Sequence, residues 1–586
     1  MLRRLGPHAV GLMRLDLTGA VPLGREHAAQ LDAIAAELRR PYVELVSRLS
    51  APYGADLDWW VTPLASRNTY VCPLFRRLCQ AVLARRLAAE GGLSEIMVDT
   101  PALAGMLRDA LPTAVRVRSA LSPLLWRLRT ALGLLRRFAA AMYACGGRFV
   151  FARLIPPVGR VQPSEPITLV DTFLYPESIR DGAFNDRHYP GLLEQLSEDE
   201  RRRVYWAPVY YRARNHADLF RRLRGCRDNL LLAEDYLRLG DYAYAIGHFL
   251  RGRRDLPDCE FLGLRAGTLL REAYAEAYAG SGSIEGLLRY RFARRLKEAG
   301  VKLKRIVEWF ENQEIDHGAV SGWLTFHPDT KVVGYQGFLA SNNYLCMFPL
   351  EVERALGLLP HVVGVMGPAL AEPAREFCAG LEVTAAPAFR FDALWRLSGE
   401  KPRHDGVELL VSLPLDTGET RHILEMVGKA LGGNMAFRGR RVCIKPHPAF
   451  PRRLLEEGDC MGLQPDWVLV DGDLDGLLEA ADLFVGSASS ACVQAVVHGV
   501  PAAVIGGRAR PTLNPIPAWV DAELWSVCHG AEDLRQALAR HARCGAEART
   551  RLRATGAAVR ERLFRPVGRP AVLEFLGLSA AAAVPH

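Results

Sequence analysis

The sequence predicts an α/β protein made of two doubly wound domains with helical additions, on three observations. Short apolar runs of the kind that form buried parallel strands alternate with helical patterns from Ile167 to Thr384 and again from Val407 to Ile505. Between the two series, residues 386–406 carry prolines at 387 and 402 and the polar cluster SGEKPRHDG, the composition of a linker. A chain of 586 residues also exceeds what one core normally organises.

Composition narrows the class. An apolar share of 49% with mean hydropathy near zero fits a globular protein. The 12 cysteines are scattered without CxxC or His/Cys spacing, so reduced thiols in a cytoplasmic setting are expected and a structural zinc site is not. The net charge of +9 is carried mainly by arginine. No nucleic-acid module accompanies it, so nucleic acid is not expected as a partner, and membrane surfaces or acidic substrates explain the charge equally well. The basic start MLRRLGPHAVGLMRLDL lacks the apolar core of a signal peptide, and no stretch of about 20 apolar residues predicts a membrane span.

In chain order, residues 1–55 form a lead-in with a helix over about His27 to Leu49. The first α/β domain is expected over 56–385. Leu57 to Thr62 (LDWWVT) reads as a strand, Ser66, Arg67 and Asn68 as the loop after it, Pro73 to Ala89 as a helix and Glu95 to Asp99 as a second strand. Ligands of parallel sheets gather at carboxyl ends of strands, which makes Ser66, Arg67 and Asn68 candidate acceptor-side residues; a surface loop with a helix cap is the alternative.

Residues 114–157 interrupt the alternation. Ser122 and Pro123 open a helix in which Leu121, Leu124, Leu125, Leu128, Leu132 and Leu135 recur mostly at spacings of three and four. Arginines surround that stripe. Such a segment lies in the interface of an anionic membrane, or is a core-facing helix with a solvated arginine face.

From Ile167 the pattern resumes: ITLVD as a strand leading to Asp171, Val204 to Tyr211, Lys304 to Asn312 (KRIVEWFEN), Val332 to Gln336, His361 to Met366 and Leu381 to Thr384. Glu311, Gln313, Tyr335 and Gln336 would stand at strand ends facing a common cleft. Carboxylates in such places serve as bases or as helix caps.

The second domain, 407–564, reads cleanly as strands at Val407 to Leu413, Arg441 to Lys445, Trp467 to Val470, Leu483 to Val485 and Ala502 to Ile505. After the second of these comes KPHP, where two prolines stiffen the loop and leave Lys445 and His447 as polar groups. After the fourth come Ser487, Ser489 and Ser490, leading into a helix closed by Gly499. Unpaired N–H groups at a helix start favour an anion, so the pair of loops predicts a phosphate site; a structural loop histidine and a plain serine N-cap are the alternative for either motif alone. Residues 531–564 read as helical and 565–586 as a loose tail.

These residues carry a resemblance. Two α/β domains with a KPHP loop and a Ser-rich loop in the second resemble GT-B glycosyltransferases. Within them the chain is similar to bacterial enzymes of surface polysaccharide synthesis, including the polysialyltransferases and the capsule Kdo transferases, whose His-Pro and Ser motifs bind the phosphate of a cytidine-nucleotide donor. SRN at 66–68, DRHYPG at 186–191, ENQ at 311–313 and GYQG at 334–337 resemble surface-carbohydrate proteins. The resemblance implies a metal-independent, inverting transferase without cofactor, using a nucleotide-sugar, with a cytidine monophosphate link as one form. Its acceptor would be a glycan or glycolipid, and its setting peripheral on the inner membrane. It implies phosphate binding by Lys445, His447, Ser487, Ser489 and Ser490, and a carboxylate base, Glu311 first and Asp171 second. The alternatives are a polyol-phosphate transferase with a CDP-glycerol-type donor, a UDP-sugar epimerase, and a non-catalytic scaffold of a polysaccharide assembly complex.

Overall fold

The computed structural model describes residues 13–578 except 158–162, 164, 212, 214, 397–407, 433–440, 449, 452, 457–461, 488 and 543. Three parallel sheets organise it. The first is small: β1 (Met13–Asp16), β2 (Leu93–Val98) and β3 (Arg116–Ser119), with β2 in the middle. Packed around it are α1 (Arg25–Ser50), α2 (Leu57–Trp60) and α3 (Leu74–Glu90), followed by the long α4 (Pro123–Leu154), which starts at the expected Ser122 cap.

The expected strand at LDWWVT is a single helical turn, α2. The Asp56 side chain caps it by accepting from the Asp58 N–H. Trp59 and Trp60 are both fully buried, so the run does not alternate as a half-buried strand would. Their indole N–H groups donate to Ser50 Oγ (3.0 Å) and the Gly54 carbonyl (2.7 Å), and Asp58 bonds His248 and Arg251. Tertiary partners decide this segment.

The second sheet has six strands: β4 (Ile167–Leu174), β5 (Val204–Tyr210), β6 (Leu303–Trp309), β7 (Lys331–Gln336), β8 (Val362–Val365) and β9 (Val383–Ala385), in the order β9-β8-β7-β6-β4-β5. Around it pack α5 (Leu239–Ile246), α6 (His248–Arg251), α7 (Ser281–Glu298) and α8 (Glu314–Phe326). The pair α7 and α8 approaches so closely that a Cβ on Gly318 would overlap the Gly286 carbonyl.

The third sheet has β10 (Glu408–Ser412), β11 (Arg441–Lys445), β12 (Val468–Leu469), β13 (Leu483–Gly486), β14 (Ala502–Ile505) and β15 (Trp525–Cys528), in the order β12-β11-β10-β13-β14-β15. Its helices include α9 (Thr417–Leu431), α10 (Ala491–Val497), α11 (Ala531–Ala542) and α12 (Ala546–Leu563). Two doubly wound α/β domains with helical additions, the expected fold class, are what the topology shows.

The expected loose tail over 565–586 begins differently. Arg565 bonds Met366 and Ala388 through its backbone, and α13 (Arg569–Leu576) lies on the first large domain. Phe575 enters a cluster with Tyr189, Tyr335 and Phe389, and the Leu576 carbonyl accepts from Thr168 Oγ1 at 2.9 Å. The AAAAVPH end lies outside the described residues.

Candidate active site

Each large sheet reverses its winding once. In the first, the chain goes from β4 out to β5 and then returns to the other side of β4 to lay down β6. In the second, it goes from β10 through β11 to β12 and then returns to the other side of β10 for β13. Such a reversal opens a crevice at the carboxyl ends of the two diverging strands, where ligands of doubly wound sheets bind.

Glu311 stands two residues past β6 at the first crevice. Three donors surround its carboxylate: Trp309 Nε1 at 2.8 Å on Oε1, Tyr344 OH at 3.2 Å on Oε2, and Gln313 Nε2, also on Oε2. Burial raises its pKa, and the three hydrogen bonds work against that rise. The backbone N–H groups of Glu311 and Gln313 both donate at 2.9 Å to Asp316 Oδ2, at the first turn of α8, so the loop is clamped from below. Glycines in GYQG serve this packing, since a Cβ on Gly337 would overlap the Trp309 and Tyr335 rings.

Sequence-distant loops complete this wall. Ser66, Arg67 and Asn68 are all buried, so they form no surface loop, and Asn68 stands beside the Glu311 loop. The Arg67 guanidinium pairs with Glu353 at 2.7 Å, and both side chains are fully enclosed. Burial opposes the Glu353 charge, yet Arg67 and His317 bring its pKa down to about 2. Glu353 also accepts from Asn312 Nδ2 at 3.0 Å, which fixes Asn312 in its left-handed conformation (φ 56°). Asn68 Nδ2 reaches Gln313 Oε1 and Glu314 at 3.3–3.4 Å.

The expectation that Tyr335 and Gln336 project into the cleft is corrected. Tyr335 is fully buried with its hydroxyl on the Pro387 carbonyl (2.7 Å), and Gln336 Nε2 donates to the Met347 carbonyl (2.9 Å). Gln336 holds the backbone that follows β7, and Tyr335 ties β7 to the segment that follows β9. Asp171 lies within β4 rather than after it, and pairs with the buried Arg289 at 3.1 Å. Burial lifts its pKa to about 6, against the lowering effect of Arg289. Beneath Glu311, Glu308 is fully buried, and among the described residues neither of its oxygens has a hydrogen-bond partner; burial raises its pKa well above the usual range.

The sequence pattern did not single out Tyr344, Arg390 or Arg510, and it assigned His188 no role beyond its place in DRHYPG. His188 sits inside DRHYPG, edge-on to Trp309 with ring centroids 4.4 Å apart. Burial and the nearby Arg390 and Arg187 push its pKa down to about 3, so the ring is neutral. Thr172 Oγ1 donates to Asp186 at 2.5 Å and lies 3.3 Å from His188 Nδ1. With the hydroxyl proton committed to Asp186, Nδ1 carries the ring proton and Nε2 the lone pair.

At the second crevice, register aligns the predicted loops. Ser412 pairs with Lys445 and Val411 with Val485, so the KPHP and Ser loops leave the sheet level with each other on either side of β10. Two strand spacings, about 10 Å, separate them. Lys445 is half-buried at the end of β11, and His447 is exposed. Ser487 is half-buried, Ser489 Oγ accepts from the Ala491 N–H at 3.3 Å, and Ser490 opens α10 without a side-chain cap. Ser487 lines a small crevice with Glu419, His422, Gly506, Gly507 and Arg510.

Arg510 brings the two walls together. It pairs with Glu419 and stands close enough to Tyr70 for each to perturb the other's ionisation. Tyr70 in turn packs edge-on to Tyr344, centroids 4.5 Å apart. The turn carrying Arg510 is pinned from the other side of the cleft. Leu23 N–H donates to the Arg508 carbonyl (2.7 Å), Gln80 to Ala509 (2.7 Å) and Asn343 to Thr512 (2.9 Å), while Asp32 accepts from Thr512 N–H (2.6 Å).

The course of the chain has counterparts among solved structures. CalG4, the calicheamicin glycosyltransferase, is 16% identical, covering 72% of this chain and 100% of its own, with a TM-score of 0.39. MnaA of S. aureus, solved with UDP, is 12% identical over 70% of this chain and 98% of its own (TM-score 0.41), and MurG of Acinetobacter baumannii 12% over 70% and 99% (TM-score 0.36). Scores of this size say nothing of donor, acceptor or reaction. No family model and no curated protein matches the sequence.

Proposed function

We propose that the chain is a GT-B glycosyltransferase acting across these two crevices. The observation that carries this reading is Glu311: a carboxylate of raised pKa, held by three donors at one winding reversal, with a basic and hydroxyl-lined crevice at the other. Glu311 accepts the proton of an acceptor hydroxyl as that oxygen bonds the anomeric carbon of the donor. The bond from that carbon to the donor phosphate breaks, and the phosphate leaves with the electron pair. One displacement inverts the anomeric centre.

Lys445, His447, Ser487, Ser489 and Ser490 meet the departing charge, assisted by Arg510 once phosphate replaces Glu419 on it, and this arrangement assigns no step to a metal. The neutral His188 offers Nε2 as a hydrogen-bond acceptor for an acceptor hydroxyl. The KPHP and Ser loops favour a sugar linked to cytidine monophosphate, of the sialic acid or Kdo class, added to a surface polysaccharide or lipid-linked glycan.

Two measurements test this. Thermal shift against cytidine, uridine, guanosine and thymidine nucleotides should respond to cytidine monophosphate, whereas a response to uridine diphosphate alone overturns the donor assignment. Glu311→Gln should lower transfer by about 100-fold or more while donor binding persists. Unchanged turnover in that variant would remove the base.

A further inference from the structure

The long helix α4 presents an outer face that nothing among the described residues covers. Leu124, Leu128, Leu132, Leu135, Met142 and Val150 follow one another at helical spacing and are exposed, Leu124 at 67% and Leu132 at 59%. The helix is 32 residues, about 48 Å long, yet no helix of the described residues is long and apolar enough to cross a membrane.

Charge frames that stripe. Residues 123–154 contain six arginines and not one Asp or Glu. Arg127 lies about 100° to one side of Leu128, and Arg129 and Arg136 about 80–100° to the other. All three are exposed. The inner face, by contrast, is tied to the rest of the protein by polar contacts. Trp126 Nε1 donates to Glu276 at 2.7 Å, Arg137 to the Glu276 carbonyl at 2.8 Å, and Arg148 to Glu234 and Glu285 at 2.7 and 2.6 Å. A groove of about 830 Å³, lined by Leu135, Phe138, Phe149, Ile246, Phe249 and Leu250, runs between α4 and the α5–α6 pair.

The geometry points to α4 as an in-plane membrane anchor: its apolar stripe enters the headgroup–acyl boundary of an anionic bilayer, and Arg127, Arg129 and Arg136 engage lipid phosphates along both edges. A straight apolar stripe bordered by cations, without acidic residues, is the pattern of an interfacial helix. A second copy of the chain fits poorly, because it would set another acid-free arginine row against this one. The groove beside the stripe gives an acyl chain a place to lie.

The mounting also links the anchor to the candidate active site. Arg148 holds Glu285, Glu285 lies 3.8 Å from Arg289, and Arg289 holds Asp171 in β4. A bilayer under α4 is thus tied through α7 to β4 of the first large sheet. The anchor stands independently of the reaction proposed above.

Full-length protein is tested by vesicle sedimentation with phosphatidylcholine alone and with phosphatidylcholine–phosphatidylglycerol mixtures. Binding should require the anionic lipid and weaken with salt. Each arginine near the surface contributes about five-fold, so R127A/R129A/R136A should bind roughly a hundredfold more weakly. L128S/L132S/L135S should lose binding even at low salt. Thermal melting and nucleotide binding serve as folding controls; should the leucine variant misfold, the arginine variant alone decides. Equal binding to both vesicle types, no binding, or an unchanged arginine variant overturns the inference. So does a solution dimer that the leucine variant converts to monomer without any vesicle binding.

Discussion

Tyr344→Phe removes one donor from Glu311 and leaves the ring that packs on Tyr70. Burial raises the Glu311 pKa, and Trp309, Gln313 and Tyr344 each stabilise its ionised form. A hydrogen bond to a charged group contributes about 1.5–3 kcal/mol, and at 3.2 Å the lower end applies. Since about 1.4 kcal/mol corresponds to one pK unit, the Glu311 pKa should rise by about one unit in the variant. Gln313 keeps its own contact with Glu311, so one donor is lost and not two. The sign follows from the role: a base works ionised, so activity is lost as pH falls through its pKa. The acid limb of kcat/KM should therefore move about one unit to higher pH, with little change in the plateau above it. Donor turnover measured from acid to alkaline pH gives this directly. An unmoved limb, or a uniform loss at every pH, would refute Glu311 as the titrating base.

Four further outcomes concern the scaffold. Glu353→Gln strands the enclosed Arg67 charge and should cost about 3–5 kcal/mol, read as a fall in melting temperature. In the native protein the depressed pKa of Glu353 adds stability above its unfolded value of about 4.5. That stability is lost as pH falls from there toward about 2, which acid titration of unfolding measures. Gly318→Ala forces α7 and α8 apart and should destabilise by about 1–3 kcal/mol, loosening the Asp316 clamp under Glu311. Phe575→Ala removes a ring from the Tyr189–Tyr335–Phe389 cluster and should cost about 3–5 kcal/mol in chemical denaturation.

The strands of both large domains were legible because parallel strands buried on two faces read as nearly continuous apolar runs, as in Leu483 to Val485 and Ala502 to Ile505. Where neighbours rather than local pattern decide, the sequence misleads. LDWWVT looks like a strand, and becomes a helical turn because two indoles and Asp58 find distant partners. β1 (MRLD) and β15 (WSVC) mix polar with apolar residues and so lack the uninterrupted apolar run that marks the other short strands. At the candidate site, Glu311 was visible from its place after β6. Tyr335 was misread because its side chain turns inward to the Pro387 carbonyl, which lies outside β7. Asn68 meets Gln313 across 245 positions of sequence, and Arg510 reaches Tyr70 only because the Asp32, Gln80 and Asn343 contacts pin its turn.

The return of α13 to the first large domain means that the chain passes between the domains twice, once between 396 and 408 and again between 563 and 569. One tether would let the second domain swivel; two define a hinge axis and leave mainly a swing about it. The pinned turn at 508–512 is then a latch on that swing. Any opening of the cleft along that swing would require its few hydrogen bonds to let go together.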